Sequence, residues 1–189
     1  MRLSARVDYA LRAAAELAAH AEAGEPVPEA GVGAETRTRG GGPGRTAEGG
    51  QSGRVAAPTR RPTPITADQI ARAQDIPPKF LESILLQLRR GGIVHAQRGP
   101  EGGYWLARPA SEISLAEVIR VIDGPLANIR GQRPEDLGYQ GAARSLQEVW
   151  IALRASEREI LELVTLADVA TDKLPDRVRD LAADPRAWS

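Results

Sequence analysis

The sequence has no cysteine among its 189 residues. That absence excludes a disulfide framework, a thiolate zinc site, a cysteine nucleophile and a cysteine-held iron–sulfur cluster. It also lacks any apolar run near the ~20 residues that a membrane-spanning helix needs. The N-terminal apolar stretch is broken by Asp8, Arg12 and Glu16 before a signal-like core can form. A soluble, cytoplasmic chain with no membrane partner is expected. Net charge is missing too, since 25 Lys+Arg balance 25 Asp+Glu. A zero total neither favours nor excludes nucleic acid, because binding depends on where charge is clustered. The two histidines, His20 and His95, have no serine or carboxylate pattern around them. No glycine motif opens a helix after a strand, as a phosphate-cradling loop must. The chain is therefore not predicted to be an enzyme.

What is present is unevenly distributed. Ten of the 19 glycines and six of the 14 prolines fall between residues 24 and 64, a window with no aromatic residue. It cannot bury enough apolar surface to offset its ordering entropy, so residues 25–64 are expected to be a disordered insertion. Arg37, Arg39, Arg45, Arg54, Arg60 and Arg61 could brush a nucleic-acid backbone, but a solvated linker is the better reading of them. Loop closure costs only ~0.6 kcal/mol per doubling of length, so the flanking segments can still fold together. Residues 65–110 carry six Lys/Arg against four acids, and residues 111–189 carry ten against fourteen. An acidic half masks a mildly basic one.

Helical spacing of Val7, Ala10, Leu11, Ala14, Leu17, Ala18 and Ala21 predicts a first helix over 4–22, with Ser4 as N-cap. Thr66 is placed to cap a short helix with Ile70 and Ala71 inward. Asp75-Ile76-Pro77 then makes a turn, and Pro78 opens a helix whose Phe80, Leu81, Ile84, Leu85 and Leu88 share a face. Gly91-Gly92 stops it. Two β-prone runs, Ile93 to Gln97 and Tyr104 to Ala107, flank a turn-rich tip and predict a hairpin. Ser114 and Glu117 fit a capping box, and Gly124-Pro125 closes the helix that follows. A long helix is expected from Ala142, then a short one capped by Thr165, then a frayed polar tail over 175–189.

Helix, turn, helix and Gly-tipped hairpin in that order make a winged helix. Its second helix suits the major groove, where N-terminal side chains reach base edges. Here these are Lys79, Glu82 and Ser83, with Gln87 a turn later. Lys79 can contact phosphate or guanine and Glu82 can accept from a cytosine amino group, although both also suit a plain solvated helix face. At the tip, Gly99, Gly102 and Gly103 leave the backbone bare enough to approach sugar and phosphate, and Arg98 offers a planar cation for a narrow minor groove. An ordinary tight hairpin with one exposed arginine is the alternative. On the long helix, Leu146, Trp150, Leu153, Ile160 and Val164 form an apolar stripe that needs a second surface, from another copy or from the chain's own domain.

Met1 to Ser4, Tyr9-Ala10, Ile70-Ala71, Ile76 to Glu82, Leu88-Arg89, Gly92 to Val94 and above all Arg98-Gly-Pro-Glu-Gly-Gly-Tyr104 resemble the Rrf2 family of bacterial transcriptional regulators. So do Leu106 to Pro109, Ile113 to Leu115, Trp150 and Thr165 to Asp168. The resemblance runs from residue 1 to about 170, interrupted by the insertion. It implies a mainly α fold: a winged helix-turn-helix over 65–125 completed by a first helix over 1–24, a loop over 126–141, and a dimerisation helix with a short final helix over 142–174. It further implies a homodimer whose two winged helices read a roughly palindromic double-stranded DNA operator, and the leading expectation is a sequence-specific repressor or regulator. Lys79 and Glu82 then hold recognition-helix positions, and Arg98 the wing position that enters the minor groove.

Many relatives hold an iron–sulfur cluster on cysteines in the loop after the segment ending here at Gly124-Pro125. Leu126 to Gly141 has no thiolate. Asp8 stands where some relatives supply a carboxylate ligand, but one carboxylate cannot hold a cluster. A cluster-free regulator with no cofactor is expected. The competing expectation is a module that senses an unidentified ligand or protein through loop 126–141.

Overall fold

The computed structural model describes residues 3–23 and 63–188. The expected insertion lies outside the described residues, except for Thr63 and Pro64.

Helix α1 (Ala5–Ala23) is capped by Ser4, whose Oγ accepts from the Val7 amide at 3.2 Å. Its alanines let neighbours approach closely: Ala10, Ala13, Ala14 and Ala18 are fully buried beside Val7 and Leu17. Helix α2 (Ala67–Gln74) starts at a full capping box between Thr66 and Gln69. It ends at Asp75 in the left-handed conformation, φ 49°. Arg12 of α1 donates from Nη1 to the Gln74 carbonyl at 2.8 Å and so pins the turn. Helix α3 (Pro78–Arg90) has proline at its first position, where a missing amide costs nothing. Leu81, Ile84, Leu85 and Leu88 are fully buried, each contributing roughly 1.5–3 kcal/mol. Phe80, expected among them, is instead 54% exposed. It precedes Leu81 at the edge of the apolar stripe, and its ring leans on Tyr9 of α1 with centroids 6.2 Å apart.

Strands β1 (Val94–Gln97) and β2 (Gly103–Leu106) pair antiparallel, with Val94 opposite Leu106 and His95 opposite Trp105. Ile65 adds a third, one-residue strand that the sequence did not reveal. Its amide donates to the Tyr104 carbonyl at 3.1 Å, and the Tyr104 amide returns a 2.8 Å bond to the Ile65 carbonyl.

Helix α4 (Leu115–Asp123) begins at the predicted Ser114–Glu117 capping box and packs against α1 and α3. Helix α5 (Leu146–Leu163) starts later than predicted, because residues 141–143 form a separate 3₁₀ turn behind Gly141 at φ 58°. A left-handed residue there breaks the α-helical run. Helix α6 (Leu166–Ala170) follows a Thr165–Asp168 capping box and buries Leu166.

The tail over 176–183 forms helix α7 (Asp176–Ala183) where a frayed segment was expected. Pro175 sets its entry, Asp176 favours its N-terminal end, and Arg177 reaches Glu159 of α5 at 3.2 Å. Apolar side chains of α1 to α4, the sheet and Leu166 form one continuous core. No helix of the described residues is long and apolar enough to cross a membrane.

Candidate nucleic-acid interface

The buried face of α3 fixes which side chains remain outside. Lys79, Glu82 and Ser83 are exposed and Gln87 is half-buried, so the predicted base-reading residues share one free face. Ser83 Oγ donates to the Phe80 carbonyl at 2.8 Å, which leaves its oxygen free to accept. Arg6, on the first turn of α1, donates from Nη2 to Gln87 Oε1 at 2.6 Å. That contact joins residues 81 positions apart, which helical periodicity does not connect. Arg6 is the residue of this candidate face that sequence reasoning missed. The signal that could have found it was a cation one residue before the buried Val7, at the open end of the first helix.

The wing tip is a tight turn. The Gly102 amide donates to the Gly99 carbonyl at 2.9 Å, and Gly99 sits at φ 116°, where a side chain is strained. Gly103 is buried, and a Cβ there would fall 2.6 Å from the Ile65 carbonyl oxygen. Thus Arg98 and Gly99 are exposed at the tip together with Pro100 and Glu101, whereas Gly102 and Gly103 build the turn and its junction to Ile65. His95 and Trp105 pair across the strands with ring centroids 5.8 Å apart.

The long helix divides its apolar residues between two faces. Trp150 lies half-buried on the inner face, its Nε1 donating to Tyr139 Oη at 3.2 Å. Val164 leaves the helix in extended conformation and is 3% exposed, so its side chain is used within the chain. The outer face runs Leu146, Val149, Leu153, Ser156, Ile160 and Leu163 in alternating steps of three and four. On it Leu146, Val149, Leu153 and Leu163 remain between 40% and 52% exposed. The predicted stripe keeps Leu146, Leu153 and Ile160, loses Trp150 and Val164, and gains Val149 and Leu163. Its original spacing mixed the two faces because they lie only about one turn step apart.

Loop 126–141 is anchored by the buried Leu126 and Pro134. Arg130 and Gly131, both at positive φ, form a two-residue reversal closed by mutual Ile129–Gln132 backbone bonds of 2.9 and 3.0 Å. Its carboxylates are Glu135 and Asp136, and Glu135 is held by Arg154 at 2.5 Å. Asp8 of α1 is taken by Arg12 at 3.1 Å. No group of three His, Cys, Asp or Glu among the described residues could hold a metal ion. The donor set does not fit an iron–sulfur cluster.

A helix-turn-helix with an arginine and glycine wing, joined to a long helix with an open apolar face, defines a winged-helix protein of the transcriptional-regulator type. The Rrf2 family profile, described as an iron-dependent transcriptional regulator, matches residues 56–172. The chain belongs to the Rrf2 family, whose members are transcriptional regulators and not enzymes. An HTH-type transcriptional regulator of Mycobacterium tuberculosis is 54% identical over 125 residues, covering 66% of this chain and 78% of that protein. An rrf2-like regulator of Rhodobacter capsulatus is 34% identical over 122 residues, covering 61% and 81%. Among solved structures, CymR, the global cysteine regulator of B. subtilis, superposes with a TM-score of 0.60 at 23% identity over 90% of this chain and 97% of that one. T. potens IscR gives 0.57 at 24% identity over 91% and 88%. At such identities the superpositions speak for the fold.

Proposed function

We propose that the protein is a homodimeric, sequence-specific DNA-binding regulator that works without an iron–sulfur cluster, in the cytoplasm, by occupying an operator and blocking transcription. The observation that carries this reading is the free face of α3, with Lys79, Glu82 and Ser83 exposed opposite four fully buried core residues. A helix inserted in the major groove needs such a face. Arg98 at the wing tip supplies the second contact, in the neighbouring minor groove.

Dimerisation through α5 is supported by the open stripe from Leu146 to Leu163, whose three- and four-residue steps match knobs-into-holes packing against a second copy. Two copies related by a two-fold axis read half-sites about one helical turn, or a multiple, apart. Cluster-free action is supported by the donors: no thiolate, and Glu135 and Asp8 both committed to arginines.

The test is nuclease footprinting on the DNA upstream of the protein's own gene, with a reporter driven by that DNA. A protected, two-fold symmetric stretch and lower reporter output in the protein's presence are expected. Uniform cleavage at all protein concentrations contradicts the reading.

A further inference from the structure

Between α4, the start of loop 126–141 and α5 lies an open cavity of about 560 Å³. Four guanidinium groups line it, from Arg120, Arg133, Arg154 and Arg158, against only two carboxylates, Glu135 and Glu162. Glu162 accepts from both Arg120 and Arg158, and those bonds hold its pKa below the ordinary carboxylate range. The Glu135 pKa is also lowered, first by a backbone hydrogen bond and then by Arg154, with Arg133 adding charge. Both acids are thus fixed as anions, and the lining keeps two positive charges in excess. Each guanidinium has five N–H donors in a planar fork, far more than the two carboxylates use.

We propose that this cavity is an effector site for a small organic polyanion bearing carboxylate or phosphate groups. Its volume suits a metabolite-sized ligand, and forked guanidinium donors suit planar carboxylate and phosphate oxygens. The inference rests on the regulator reading for its consequence, not for the binding itself. Arg120 belongs to α4, which packs against the recognition helix α3, while Arg154 and Arg158 belong to α5, whose opposite face carries the apolar stripe. A ligand held by both helices therefore sets the angle between the DNA-reading body and the dimer helix, and with it the spacing of the two recognition helices.

The experiment is calorimetric titration of the full-length protein with pyrophosphate, citrate and, as a neutral control, glycerol. Pyrophosphate or citrate is expected to bind with a Kd below about 1 mM at near-physiological salt, and whichever binds identifies phosphate or carboxylate as the recognised group. The variant R133Q/R158Q should weaken binding about tenfold. Arg133 is exposed, so R133Q alone, which leaves both Glu162 bonds in place, covers the case in which the double variant does not fold. E135Q removes a competing anion and should tighten binding about twofold, a gain that a purely structural role does not produce. Absence of binding by both anions, or equal binding by wild type and R133Q, overturns the site. At matched ionic strength, the bound anion should change affinity for the upstream DNA about threefold or more. Unchanged affinity overturns the effector role. Failure to bind any DNA specifically overturns the regulator reading and leaves the calorimetric result standing.

Discussion

Arg6 on the first helix donates a 2.6 Å hydrogen bond to the side-chain oxygen of Gln87 on α3. With Oε1 occupied, the amide nitrogen of Gln87 is the group left to donate outward, so Arg6 sets which way the glutamine amide faces. Arg6→Ala is expected to weaken operator binding by about 0.5–1.5 kcal/mol and to flatten preference at the base Gln87 faces. Binding curves on single-base operator variants check this. Loss of affinity with an unchanged preference at every position would leave Arg6 as a phosphate contact only.

Gly91 closes α3 against Val121 of α4, where an added Cβ would lie 2.5 Å from Val121 Cγ2. Gly91→Ala is expected to cost about 1–3 kcal/mol by overpacking, measured by urea unfolding. Val121→Ala in the same chain should recover part of that loss. A double variant no more stable than Gly91→Ala alone contradicts steric conflict as the cause.

Gly103→Ala should detach the wing from Ile65, because its Cβ would meet the Ile65 carbonyl oxygen at 2.6 Å. Backbone cannot yield as a flexible side-chain end does. DNA affinity should fall by about 1–3 kcal/mol, with the helical circular dichroism signal retained. Unchanged affinity would show that the wing's position is immaterial to binding.

Glu157 lines a cavity of about 310 Å³ with Asp123, Ile119, Leu126, Ile129 and Trp150, and its Oε2 is buried without a hydrogen-bond partner. Burial pushes its pKa up. A carboxyl whose pKa is raised on folding favours the protonated form, so its contribution is present below the unfolded pKa and lost as pH rises through the folded value. Glu157→Gln should therefore stabilise the protein by up to about 1 kcal/mol at pH ~8 and by little at pH ~4. Thermal melts at both pH values decide it, and a stabilisation larger at the acidic end contradicts the account.

Much of this was legible in the sequence because local rules were unopposed. Ser4, Thr66, Ser114 and Thr165 all cap the helices their spacing predicts, and Pro78 and Gly91 bound α3. The exposure of Lys79, Glu82 and Ser83 followed from the same periodicity. The pairings that need tertiary structure were hidden: Ile65 with Tyr104, Arg6 with Gln87, and the cationic cavity assembled from Arg120, Arg133, Arg154 and Arg158. Phe80 and Trp150 were misplaced because an apolar ring at the margin of a helical stripe fits either side. Tertiary contacts, not spacing, choose between them.

The central claim is that α3 and the wing together recognise one DNA sequence. Fluorescence anisotropy on the DNA upstream of the protein's own gene and on a scrambled duplex, each across a salt series, tests it most directly. The account predicts tighter binding to the upstream DNA at every salt concentration, with a preference that survives when the phosphate term is screened. It predicts that Lys79→Ala and Arg98→Ala each cost about 1–3 kcal/mol on that DNA. Equal affinity for the two duplexes at every salt concentration would contradict it.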